Sequence, residues 1–118
     1  MKDYRKLIVW QKSHSNALMI YNLTKNFPKE ERFGVTSQLR RAALSVPTNI
    51  AEGCGKFTQK DFANYLQIAF GSAQEAEYLA FFSSKLGYLN ESDFKQANDQ
   101  LNEVKAMLIS LLNKVRSK

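Results

Sequence analysis

Residues 39–56 read "LRRAALSVPTNIAEGCGK" and decide the fold. The periodicity is helical, yet the stretch carries adjacent arginines, Arg40 and Arg41, a proline at 47, and Asn49 and Glu52 ahead of Gly53 and Gly55. On a 100° wheel, Leu39, Ala42, Ala43, Val46, Ile50 and Gly53 form one core face. Arg41, Ser45, Thr48 and Glu52 make a polar stripe on the opposite side, with Asn49 at its edge. Leu44 and Ala51 lie outside the core face, flanked by Arg40. Two separated apolar surfaces on one helix imply two packing partners, the chain's own bundle and a neighbouring subunit.

Pro47 removes one backbone donor and crowds the carbonyl four residues earlier, at a cost of about 3 kcal/mol in a helix interior. A kinked but continuous helix is the expected outcome; a break with a fresh start at Ser45 is the alternative. Water, Ser45, Asn49 or a partner's side chain can meet the freed Ala43 carbonyl.

Outward from this stretch the chain predicts three more helices. The first runs from about Val9 to Asn26, with Trp10, Ala17 and Tyr21 on one face and Leu18 at its edge, and Phe27-Pro28 ends it. The helix that opens the quoted stretch begins near Val35, and Gly53-Cys54-Gly55 predicts a left-handed C-terminal cap. The third opens at Thr58, whose "TQKD" resembles a capping box, and Gly87 ends it. The fourth starts at Asn90 or Ser92, with Glu91 and Asp93 suited to its positive end and Lys114, Arg116 and Lys118 to its negative end.

In the fourth helix, Phe94, Ala97, Leu101, Val104, Leu108, Leu111 and Val115 form a single heptad seam. The third helix is less simple. Phe62, Leu66, Ala69, Ala73, Ala76 and Ala80 share one face, an alanine row that permits close approach. Phe70, Tyr78, Phe81 and Phe82 form a second face, and Ile68, Leu79 and Leu86 a third. A small bundle leaves an outer face of each helix to water, so a helix apolar on every side predicts a covering subunit. Short connections at 55–57 and 87–90 make successive helices antiparallel neighbours. That register places Glu75 beside residues 38–41, where Arg41 or Arg40 is the expected partner, within the chain or across a subunit boundary.

At 118 residues the chain suits a single domain, 1–118, and its composition favours helices. The absence of a long apolar run and of a leader pattern predicts a cytoplasmic protein with no membrane contact. A lone Cys54 excludes an intrachain disulfide and a cysteine-rich zinc site. The net charge of +6 is uneven: residues 1–60 hold 11 Lys/Arg against 4 Asp/Glu, and residues 61–118 hold 6 against 7. Such a bias fits either a polyanion site or a solvated surface.

Chemistry is sparse. His14 is the single histidine, so no multi-histidine metal site or histidine triad exists, and it reads as a structural residue of the first helix. Carboxylates at 75/77 and 91/93 do not share a helix face. "GCGK" at 53–56 has neither the spacing nor the preceding strand of a phosphate loop. Neither a catalytic residue nor a cofactor or metal is indicated. Plausible phosphate contacts are Lys2, Arg5, Lys6, Lys12, Lys25, Lys29, Arg32, Lys56 and Lys60, the last two flanking a helix start. No RNA-binding signature is present, so contacts should be to phosphates and shape.

"SQLRRAALSVPTNIAEG" (37–53), "GSAQEAEYL" (71–79) and "LIVWQKS" (7–13) together resemble the four-helix-bundle proteins of the 23S rRNA intervening-sequence family, over about 7–115. The resemblance implies an all-α, antiparallel, up-and-down, left-handed four-helix bundle assembling as a homopentamer, and a related accessory protein of diversity-generating retroelements binds nucleic acid and its reverse transcriptase. Carried onto this chain, the motif residues are Arg40, Arg41, Ser45, Asn49, Glu52, Gly53 and Glu75, none implied to be catalytic. Five chains at +6 each carry +30, enough for salt-sensitive binding of structured RNA or another nucleic acid. A scaffold for a protein partner such as a reverse transcriptase is the alternative.

Overall fold

A computed structural model describes residues 2–117; Lys118, expected in the basic last turn, lies outside the described residues. Four helices dominate: α1 (Ile8–Leu23), α2 (Val35–Cys54), α3 (Gln59–Lys85) and α4 (Glu91–Arg116). Short 3-10 turns precede and follow α1 at Tyr4–Lys6, Thr24–Asn26 and Lys29–Glu31. No strand occurs among the described residues.

Capping follows elementary hydrogen-bond accounting. The Thr58 hydroxyl accepts from the Asp61 amide at 3.1 Å, and Asn90 accepts from the Asp93 amide at 2.7 Å, satisfying donors that the first turns of α3 and α4 leave free. Asn90, not Ser92, is therefore the cap. The expected left-handed cap after α2 is absent, because Gly55 keeps right-handed geometry at φ −85°. That conformation occurs instead at Gly87, φ +83°, where the chain leaves α3.

Each helix packs on its sequence neighbours, and α1 also packs on α4, so the four close around one core. Gly53, late in α2, meets Phe62 and Tyr65, early in α3, while Ser45 reaches Ser72 midway along both. Arg116, at the end of α4, donates to Gln67 of α3 at 2.7 Å. Lys12 of α1 pairs with Glu103 of α4 at 3.0 Å. The resulting rod measures 46 × 23 × 20 Å.

All six expected α2 core residues are buried, and α2 runs without a break through Pro47. The alanine row of α3 is closed to solvent, with Phe62 and Leu66 at its start. In α4 the seam is buried at Ala97, Leu101, Val104, Leu108 and Val115, whereas Phe94 and Leu111 are half-buried and Leu112 is buried instead.

α1 departs from expectation. Its inward face is Val9, Ser13, Asn16, Ala17 and Ile20, whereas Leu18 and Tyr21 are exposed and Trp10 is half-buried. Two polar side chains on the core face hid it from an apolar wheel. Ser13 satisfies itself on the Trp10 carbonyl at 3.0 Å, and Asn16 donates to Gln100 Oε1 of α4 at 2.9 Å. Trp10 is covered from outside by His14, whose ring stacks on it at 4.8 Å. In α3, Leu79 is buried with the core, not exposed beside Ile68 and Leu86.

A candidate nucleic-acid interface at one end of the bundle

Packing the helices redistributes the charge. The end built from residues 2–6, 52–61 and 114–116 holds seven cations, Lys2, Arg5, Lys6, Lys56, Lys60, Lys114 and Arg116, against Asp3, Glu52 and Asp61. The opposite end sets Lys25, Lys29, Arg32, Arg40, Arg41, Lys85 and Lys95 against Glu30, Glu31, Glu91, Asp93 and Asp99. The larger share of the positive excess therefore sits at the first of these ends.

Local contacts hold that end together. The Lys2 amide donates to the Cys54 carbonyl at 3.0 Å, tying the N-terminal segment to the end of α2. Asp3 caps the first 3-10 turn by accepting from the Arg5 amide at 3.1 Å, and it pairs with the Arg5 guanidinium at 3.3 Å. The amide bond, then the guanidinium, holds the Asp3 carboxyl below the usual carboxylate range. Lys2 lies over the Phe62 ring at 5.3 Å and Lys56 over Tyr65 at 5.0 Å. A recess of about 160 Å³ opens between Lys2, Lys56, Phe57, Thr58 and Gln59, and Lys60 and Arg116 share the lining of another. Cys54 lines the first recess but is buried, and burial pushes its thiol pKa up, which leaves it a poor nucleophile.

The nine expected phosphate contacts thus divide three ways. Lys2, Arg5, Lys6, Lys56 and Lys60 share the basic end. Lys25, Lys29 and Arg32 lie at the opposite end, and Lys12 is on the flank, engaged with Glu103. Lys114 and Arg116 join the basic end although their sequence positions suggested only complementarity to a helix dipole. Pairing the start of α3 with the end of α4 is the signal that finds them.

The motif residues of α2 are mostly structural. Arg40 turns towards α1, donating to Thr24 Oγ1 at 2.6 Å and to the Tyr21 carbonyl at 3.1 Å. Ser45 and Ser72 share a hydrogen bond of 2.8 Å, and Asn49 Nδ2 donates to both the carbonyl and the hydroxyl of Ser45 at 2.9 Å. Gly53 permits the close crossing of α2 and α3, since a Cβ there would stand 2.9 Å from Tyr65 Cβ. Glu52 is exposed. The expected Arg40–Glu75 or Arg41–Glu75 pair does not form within the chain: Arg40 is committed to α1, and Arg41 and Glu75 are both exposed without an ion-pair partner among the described residues.

A sequence profile described as "23S rRNA-intervening sequence protein" matches residues 5–110, almost the whole chain. The chain belongs to this family. The 23S rRNA-intervening sequence fold is also that of a crystal structure from Bacteroides thetaiotaomicron, a protein of unknown function from the S23 ribosomal protein family. The two are 30% identical, superpose with a TM-score of 0.84, and cover 90% of this chain and 96% of the other. No curated protein matches the sequence. Among the described residues no helix is long and apolar enough to cross a membrane, and no group of three or more His, Cys, Asp or Glu is placed to hold a metal.

Proposed function

We propose that this 23S rRNA-intervening sequence protein is a non-enzymatic, cytoplasmic, homo-oligomeric module that binds nucleic acid, structured RNA foremost, with the basic end of its bundle. The observation that carries the reading is the collection of seven cations from three separate chain segments at one end. Clustered charge of one sign attracts a polyanion and releases its counterions. Self-association is supported by what the single chain leaves uncovered: Tyr78, Phe81 and Phe82 of α3 are 60, 45 and 42% exposed, and Leu18 and Leu44 of α1 and α2 are 60 and 48% exposed. Two unlike apolar faces joined head to tail close into a ring, of which a pentamer is the form proposed. Arg41 and Glu75 supply opposite charges for that contact.

The test is a titration of the purified assembly, its mass measured first, against labelled structured RNA and duplex DNA over a salt series. Submicromolar binding that weakens steeply with salt is expected, and Lys56→Gln with Lys60→Gln should flatten the salt slope by about two. The same exchange at Lys25 and Lys29 should leave the slope unchanged. Absence of binding at low salt would instead favour a scaffold for a protein partner.

A further inference from the structure

We infer that Phe57 is a stacking platform for an unpaired nucleobase, so that the basic end takes single-stranded nucleic acid in preference to a duplex. The inference rests on the nucleic-acid reading of that end and adds the feature the ligand must have.

Phe57 lies in the connection between α2 and α3, between Lys56 and the Thr58 cap, and 87% of it is exposed. It contributes almost nothing to the core, and among the described residues no ring or cation lies against its face. The other phenylalanine equally exposed, Phe33, does not offer a free face. Arg32 lies over the Phe33 ring at 5.4 Å and takes the face that a base would need. Phe57 instead borders the recess lined by Lys2, Lys56, Thr58 and Gln59.

An open aromatic face amid lysines that track phosphates is the arrangement by which single strands are held: cations take the backbone, and the ring takes a base irrespective of its identity. Bases stacked inside a duplex present only groove edges and cannot lie on the ring. The fixed N-terminus of α3 directly after Phe57 keeps the platform in place, since Thr58 holds the Asp61 amide.

The experiment compares wild type, Phe57→Ala and Phe57→Trp for binding a short unstructured oligonucleotide, an abasic strand of equal length, and a duplex, with Lys56→Gln/Lys60→Gln alongside. Phe57→Ala should weaken binding of the base-bearing strand about tenfold, and Phe57→Trp should restore it. Binding of the abasic strand and the duplex, and the salt slope on every probe, should be unaffected by either. RNA and DNA versions of the strand should respond alike, because both carry bases; an effect confined to RNA would overturn stacking in favour of a 2′-hydroxyl contact. Equal losses on the abasic strand, or a changed assembly mass for Phe57→Ala, would also overturn it by making Phe57 structural or part of a subunit contact. Lysine-dependent binding indifferent to Phe57 overturns this inference alone, whereas no binding of any probe overturns the basic-end reading with it.

Discussion

Arg40 Nε donates to Thr24 Oγ1 at 2.6 Å, while the neighbouring Arg41 makes no such contact and stands exposed. Adjacent residues on a helix point about 100° apart, so two arginines in sequence serve two surfaces. Arg40 clamps α1: its guanidinium also lies over the Tyr21 ring at 4.9 Å and bonds the Tyr21 carbonyl. Arg40→Ala should therefore lower stability by about 1–2 kcal/mol, and Arg41→Ala should change it by less than about 0.5 kcal/mol. Urea unfolding at one fixed protein concentration distinguishes them. If Arg41 faces Glu75 of another subunit, Arg41→Ala will instead lower the midpoint by more than this and shift the measured mass towards smaller species on dilution.

Two glycines in helices should respond with opposite signs. At Gly53 an added Cβ would meet Tyr65 Cβ at 2.9 Å and Phe62 Cδ1 at 3.1 Å, so Gly53→Ala should destabilise by about 1–3 kcal/mol despite the better helix propensity. At Gly71 nothing lies within 4 Å, and Gly71→Ala should stabilise by about 0.5–1 kcal/mol. Thermal melts of the two variants check the contrast. A loss at Gly71 would place a second chain against α3 there.

Thr36 is buried, and its hydroxyl lacks a hydrogen-bond partner among the described residues. A buried polar atom left unpaired costs free energy that an isosteric methyl does not. Thr36→Val keeps the branch at Cβ and should raise stability by about 1 kcal/mol. A lower urea midpoint than wild type would reveal a partner for the hydroxyl.

Alkaline stability should depend on Tyr88. Its hydroxyl donates to Glu31 Oε2 at 2.9 Å, and that bond, ahead of desolvation, raises the tyrosine pKa above its ordinary value. Folding thus favours the protonated phenol. The contribution is complete below the unfolded tyrosine pKa of about 10 and is lost as pH rises through the higher folded value. Melting temperatures across that range should fall more steeply for wild type than for Tyr88→Phe. Parallel curves would mean that the bond contributes nothing.

The parts legible in the sequence are those where one physical rule acts alone. The α2 face and the alanine row of α3 are purely apolar patterns, and Thr58 and Asn90 are local caps. In α1 a second rule intervened: Ser13 and Asn16 enter the core because a backbone carbonyl and Gln100 satisfy them. The large rings of Trp10 and Tyr21, attractive on a wheel, sit at the margin beneath His14 and Arg40. The basic end was only half legible for a different reason. Counting charge along the chain groups Lys25, Lys29 and Arg32 with Lys2 and Lys56, although helix reversal sends the two sets to opposite ends. Only the packing of α4 against α3 adds Arg116, and Phe57 carries no periodic signal because it lies in a turn.

The one-ended charge also gives the rod a direction. A body 46 Å long with the larger share of its positive excess at one tip has an electric dipole along its axis, and the field of any charged surface turns it before contact. It should meet a cation-exchange resin tip first, its retention governed by a few terminal lysines and not by the total of +6. Neutralising Lys56 and Lys60 would then advance its elution further than removing the same charge at Lys25 and Lys29.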